Sequence, residues 1–164
     1  MSDAASPNET QADDPILHDL VPFVAGERVF AVFADRVDGP AEVRVPAALP
    51  NAPAAVLGVV CMRGRMLTVI DPIAVVTGEA FPWPASLYVI ALRGDEQMAL
   101  AAHSCRDTIT IAAEDIQQPV QPGDDGVENA VLGIARYGGE EITVLRVDNL
   151  FAAIAGKERR RRRL

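Results

Sequence analysis

Short apolar bursts separated by turn residues run through most of the chain, after a polar start. Residues 1–20, "MSDAASPNETQADDPILHDL", are acidic and proline-punctuated. Such a composition buries too little apolar surface to offset the entropy of ordering, so a disordered lead is expected, with "ILHDL" as a short docking piece. From Val21 the texture changes. "ERVFAVFADRV" alternates at period two and predicts a strand, "DGPAEV" reads as a turn, and "VPAALPNAPAAVLG", with three prolines, reads as connector. "VLGVVCMRGRMLTVID" is two apolar runs across a glycine turn, a hairpin. "DPIAVVTG" predicts a helix of about a turn and a half: Asp71 to accept first-turn N–H groups, Pro72 at the first helical position, Gly78 to end it. A second hairpin, "LYVIALRGDEQMALAAHSC", is followed by a strand and turn in "RDTITIAAEDI" and a loop in "QQPVQPGDDGVEN". "AVLGIARYGGEEITVLRV" is a third hairpin. "DNLFAAIAG" predicts a C-terminal helix, capped by Asp148 and ended by Gly156.

Two of these hairpins match. Residues 56–70, "VLGVVCMRGRMLTVI", align without a gap over 131–145, "VLGIARYGGEEITVL", with Val, Leu, Gly, the turn Gly, Thr and Val identical. Two similar halves are one reading of this, and convergence of two hairpins on one pattern is the other. With short, evenly spaced strands throughout, the expected fold is all-β: two small barrels sharing one core, with short helices. The division expected is a lead over 1–20, a domain over 21–156 and a basic tail over 157–164.

Charge and composition narrow the function. The formal net charge is −8, yet Lys157–Leu164 holds six of the fifteen basic residues and a single acid. The remainder, at −13, is too acidic to bind nucleic acid by itself. The tail "KERRRRRL" suits weak, salt-sensitive electrostatic contacts with acidic surfaces; anionic lipid, nucleic acid and the acidic lead are the other options. No apolar run approaches the ~20 residues of a membrane span, and the first 20 residues lack a basic n-region, so a cytoplasmic protein is expected. Two cysteines, Cys61 and Cys105, both in apolar runs, are expected as buried free thiols. Phosphate-cradling and dinucleotide motifs are missing, and four Cys/His residues spread from 18 to 105 do not have metal-ligand spacing. Cofactor and metal are expected to be absent. "HSC" puts His103 and Cys105 on one strand face, which is read as two half-buried strand residues; a Cys–His nucleophile is the alternative.

The central hairpin resembles the signature of CheW-like domains, the coupling proteins of bacterial chemotaxis, in which the pattern runs G-V-x-N-x-R-G-x-hydrophobic-hydrophobic-P-V-hydrophobic-D. Gly58, Val59, Arg63, Gly64, Val69 and Asp71 stand in their places. The resemblance extends over about residues 21–155, through "FAVFADRVDGPAEV", "LYVIALRGDEQMALAAHSCRDTITI" and "VLGIARYGGEEITVLRVDNLF". Cys61 replaces the usual Asn and Thr68 the usual Pro. "DGP" follows Val37 where Glu and a hydrophobic residue are common, and Arg106 and Thr108 flank Asp107 where a hydrophobic residue commonly follows the acid. The resemblance implies two five-stranded SH3-like barrels and a non-catalytic adaptor. Its implied partners are the regulatory domain of a CheA-type histidine kinase, against an apolar barrel face, and a chemoreceptor's cytoplasmic tip, in the groove between barrels. It also implies recruitment to membrane receptor arrays, and a similar module could serve a pathway other than motility.

Arg63 is the leading partner-binding candidate: a guanidinium at a turn tip offers a flat fork of donors to carboxylates or carbonyls. The matching hairpin at 131–145 has glycine and glutamate where Arg63 and Arg65 stand, so neither arginine is needed to form the turn. Arg65 is read more as surface charge. Gly64 supplies a positive φ, Gly58 marks a bend or a close backbone approach, and Val37 and Asp38 fall where the family's first barrel meets partners.

Overall fold

In the computed structural model, residues 14–44, 46–84, 86–94, 97–118 and 130–154 are described. Among these residues twelve strands form two curled antiparallel-rich sheets. The first joins β1 (Leu17–Ala25), β2 (Arg28–Phe33), β8 (Ser104–Cys105), β9 (Ile109–Ala112), β10 (Ile116–Gln117), β11 (Val131–Tyr137) and β12 (Glu140–Leu145) in the order β10-β11-β12-β2-β1-β8, with β9 also on β1. The second joins β3 (Val37–Arg44), β4 (Val56–Met62), β5 (Arg65–Ile70), β6 (Ser86–Leu92) and β7 (Met98–Ala102) in the order β3-β6-β7-β5-β4. They are called barrels A and B below.

The chain changes barrel twice, which binds the halves into one unit. After β2 a 3-10 turn, Ala34–Arg36, carries it to β3, which pairs with β6. After β7 it returns through β8 and β9, both paired with β1. Three of the expectations for this region need correction. "DGPAEV" is strand, not turn, because Gly39 sits at a bulge that lets β3 continue along β6. Strand β1 starts at Leu17, inside the stretch assigned to the lead: Leu20 is fully buried, and Leu17–Leu20 pairs with β9. Asp148 lies within a 3-10 turn, Val147–Asn149, rather than ahead of a helix, and its carboxylate is 2.6 Å from Arg36 Nη2. The helix that follows is described over 150–154; Gly156, the basic tail, residues 119–129, expected as loop, and residues 1–13 lie outside the described residues.

The apolar residues sort by strand face. In β6, Leu87, Val89 and Ala91 line the interior of barrel B, whereas Ile90 and Leu92 join a cluster shared with barrel A. In β2, Ala31 points into barrel A and Phe30 and Val32 join the same shared cluster. Strands buried on both faces read as continuous apolar runs, which explains "VIAL" and "MALAA". The shared cluster is the largest, and helix α1 (Pro72–Thr77) and residues 150–154 pack into it. Truncating one such side chain costs about 2–5 kcal/mol, so neither barrel is expected to stand alone.

The two matching hairpins agree in detail, each residue of the first lying 75 positions before its counterpart. Both have a bulge one residue before a glycine, at Val56/Gly58 and Val131/Gly133. Both end with a hydrogen bond back to a buried alanine: Asp71 N–H to the Ala55 carbonyl and Arg146 N–H to the Ala130 carbonyl, each 2.7 Å. Such agreement in bulge, register and closing bond favours two related halves over convergence.

Asp71 is fully buried. Its Oδ1 accepts from the N–H groups of Ile73 at 2.9 Å and Ala74 at 3.2 Å, and Oδ2 accepts from Phe81 N–H at 3.1 Å. With Gly78 left-handed at the other end, α1 forms as its sequence predicts. The same carboxylate fixes the loop that carries Phe81 and Trp83.

A candidate partner surface at the hairpin tip of barrel B

Arg63 and Gly64 are the two central residues of the β4–β5 turn, flanked by the pair Met62 and Arg65. Their φ angles are 52° and 78°. Positive values at both positions define the type I′ turn, whose twist matches that of the strands. The counterpart in barrel A, Gly138–Gly139, has φ 59° and 83° between Tyr137 and Glu140. Glycine adopts this conformation freely; an L-residue there is disfavoured by about 1–2 kcal/mol. Arg63 is thus held at a strained position that its twin fills with glycine.

The curl of barrel B brings β3 to this tip, although β3 and β5 are not hydrogen-bonded neighbours. Arg65 Nη1 lies 3.6 Å from Asp38 Oδ2, tying the mouth of the barrel. Arg63 Nη2 reaches over Gly39, 3.9 Å from the place a Cβ there would take. Among the described residues Arg63 forms no ion pair, and it is exposed. Arg63, Gly64, Arg65 and Asp38 therefore converge. The other two candidates do not. Val37 is half-buried and packs on the shared core. Gly58 is buried two-thirds of the way down β4, with φ 148°; a Cβ there would sit 2.3 Å from the Ala47 carbonyl oxygen. Ala47 and Val59 exchange backbone hydrogen bonds of 2.9 Å at that point, so Gly58 admits a close backbone approach. Gly133 repeats this, its notional Cβ 2.6 Å from the Gln117 carbonyl oxygen.

Sequence reasoning missed the outer face of the same hairpin. Cys61 and Met66 are directly cross-strand. Met66 is 55 % exposed, and Cys61 is exposed rather than buried. The expectation of two buried thiols fails because the run holding Cys61 is only half-buried: Val60 and Met62 turn into barrel B, so the residue between them must turn out.

The Cys–His alternative meets a different geometry. His103 Nδ1 accepts from Gly26 N–H at 2.9 Å, and its ring stacks on Trp83 at 4.6 Å. Cys105 Sγ donates to the Arg106 carbonyl at 3.8 Å. Burial pushes the Cys105 thiol up, the reverse of what a thiolate nucleophile needs. Among the described residues there is no cluster of His, Cys, Asp and Glu able to hold a metal ion, and no helix long and apolar enough to cross a membrane.

Two small barrels packed on a common core, with a basic tip on one of them, define an all-β interaction module. The comparisons agree. A family model described as the CheW-like domain matches residues 19–155, and the chain belongs to that family. Chemotaxis protein CheW of Rhizobium meliloti (strain 1021) is 27% identical over 137 residues, covering 81% of this chain and 86% of the relative. The crystal structure of the scaffolding protein TtCheW from Thermoanaerobacter tengcongensis shares the fold, with a TM-score of 0.69 and 19% identity over 85% of this chain and 90% of that one.

Proposed function

We propose that the protein is a non-catalytic adaptor that couples chemoreceptors to a CheA-type histidine kinase. It acts by position: one barrel face packs on the kinase's regulatory domain, and the receptor's cytoplasmic tip occupies the groove between barrels. It works in the cytoplasm and reaches receptor arrays through these contacts. The observation that carries the reading is Arg63, exposed and without an ion pair among the described residues, in a left-handed position that the twin hairpin gives to glycine. Backbone strain of this kind persists where function uses it. Membership of the CheW-like family supports these partner classes. Gly64 supports the tip through its φ, and Asp38 with Arg65 fixes its approach to β3; Val37 and Gly58 act through the fold. The arginine tail adds salt-sensitive attraction to an acidic partner surface. Arg63→Glu tests the reading: the folded variant is expected to lose ternary assembly with receptor fragment and kinase, and unchanged assembly would remove Arg63 from the site.

A further inference from the structure

The β1–β2 and β6–β7 hairpins correspond, because β2 runs parallel beside β12 and β7 runs parallel beside β5, and β5 and β12 are the matched strands. Each of these hairpins turns against the segment that follows the matched strand of the other barrel: Ile73 after β5, Val147 after β12. The two places differ. Beside the β6–β7 turn, Val147 and its neighbours leave no room for a water molecule. Beside the β1–β2 turn, Ala25–Arg28, a cavity of about 520 Å³ lies open between Ile73, Phe81 and His103. That volume is within the ~300–1,000 Å³ of small-ligand pockets. The fold can close this place, and on one side it does not. The walls of the open one are fixed. Asp71 Oδ2 accepts from Phe81 N–H at 3.1 Å. His103 is held by main chain and ring alike: its backbone N–H donates to the Val24 carbonyl at 2.7 Å, and Nδ1 accepts from Gly26 N–H at 2.9 Å. Its ring stacks on Trp83 at 4.6 Å and meets Phe81 edge to face at 5.4 Å. With Nδ1 accepting, the neutral ring carries its proton on Nε2. That N–H has no partner among the described residues, and His103 lines the cavity.

We infer that this cavity binds a small, flat aromatic molecule with a hydrogen-bond acceptor on its edge, a carbonyl or a ring nitrogen. Phe81 and Ile73 receive the ring, and His103 Nε2–H donates to the acceptor. Three observations select this class. Ala25, Ile73 and Phe81 make an apolar wall with one directed donor beside it, the usual composition of a small-molecule site. Phe81 and His103 stand at 83° to each other, so a flat ring finds a face and an edge in one corner, the two contacts that aromatic pairs favour. Glu27 and Arg28, both exposed and opposite in charge, also line the cavity, so the surroundings select neither an anion nor a cation. The walls come from both barrels, and the ligand joins the β1–β2 turn of barrel A to the α1 side of barrel B. The inference is independent of the adaptor reading, because Arg63 and the hairpin that carries it do not line the cavity.

The probe is benzamide, one ring with one carbonyl, titrated into the isotope-labelled full-length protein and followed by heteronuclear NMR. The chain has a single tryptophan, so one indole N–H signal reports on the stack behind His103. Expected are saturable shifts of that signal and of the Gly26 and Phe81 amides, with a Kd in the millimolar range, the scale for a fragment of about nine heavy atoms. Toluene keeps the ring and lacks the acceptor; cyclohexanecarboxamide keeps the acceptor and lacks the flat ring. Each should bind about fivefold more weakly or worse, the fold-change of one net hydrogen bond or aromatic contact. His103→Phe keeps an aromatic ring against Trp83, removes the donor and should weaken benzamide by a similar factor. The inference is overturned if benzamide does not saturate by about 20 mM, if the shifts fall outside the cavity, if either control binds as tightly as benzamide, or if folded His103→Phe binds it as the parent does. Should His103→Phe fail to fold, the comparison of probes on the parent decides alone.

Discussion

Arg63 and Gly138 occupy the same place in two matching turns, with φ of 52° and 59°. One turn pays a conformational cost to carry a guanidinium, and the other does not. Replacing Arg63 by Gly should relieve the left-handed strain, offset in part by the entropy glycine gains when unfolded. We expect Arg63→Gly to be as stable as the parent or more so, by up to about 1 kcal/mol in chemical denaturation, while coupling falls. A less stable Arg63→Gly would mean that the guanidinium serves the fold.

Gly58 is expected to behave in the opposite way. Adding a methyl group would drive it into the Ala47 carbonyl, and Gly133→Ala would do the same at Gln117. Gly58→Ala should lose roughly 2–4 kcal/mol, because its φ of 148° strains any side chain that is also overpacked, and Gly133→Ala roughly 1–3 kcal/mol from overpacking alone. Denaturant midpoints measure this. Gly58→Ala with parental stability and impaired coupling would instead return Gly58 to the partner surface.

Asp71 holds three backbone N–H groups. In Asp71→Ala the helix cap is lost and buried donors are left unpaired, for an expected cost of about 2–3 kcal/mol. Asp71→Asn keeps an acceptor oxygen for the cap and should cost less. Equal losses in the two variants would show that the cap geometry is unimportant.

Hairpin recognition and the helix signals in "DPIAVVTG" came from local chemistry, because turn type, capping and alternation are written in adjacent residues. The repeat at 56–70 and 131–145 was legible for the same reason. What the sequence left open depends on distance in the chain. β3 is a strand because of its pairing with β6 some fifty residues later. Leu17–Leu20 is ordered by β9, about ninety residues away. The Arg65–Asp38 contact likewise needs the curl of the sheet. Cys61 looked buried because its neighbours are apolar, and only the side-chain alternation about Val60 and Met62 turns it outward.

At the tip of barrel A, Glu140 pairs with Arg106, Oε2 to Nη2 being 3.3 Å. The guanidinium holds the Glu140 carboxyl below its ordinary 4.5. A depressed carboxyl pKa stabilises the fold above the unfolded value, and the contribution is lost as pH falls through the folded one. Below about pH 4.5 the parent should therefore lose Tm more steeply than Glu140→Gln. Both side chains are exposed, so the difference should be small and should shrink in salt. Identical Tm–pH curves would show that the pair contributes nothing.

The two thiols should differ in reactivity. Cys61 is exposed and Cys105 half-buried, with its thiol pushed up, so a maleimide at neutral pH is expected to label Cys61 first. Preferential labelling of Cys105 would revive a Cys–His nucleophile.

The most direct test of the adaptor account is ternary assembly. The parent and Arg63→Glu, each shown to be folded by its Tm, are mixed with a receptor cytoplasmic fragment and a CheA-type kinase, and the kinase that co-sediments is measured. The account predicts receptor-dependent recruitment of kinase by the parent and a drop of about tenfold or more for the variant, as expected when a cation at an interface is reversed in sign. Equal recruitment by both, or none by the parent, would contradict it.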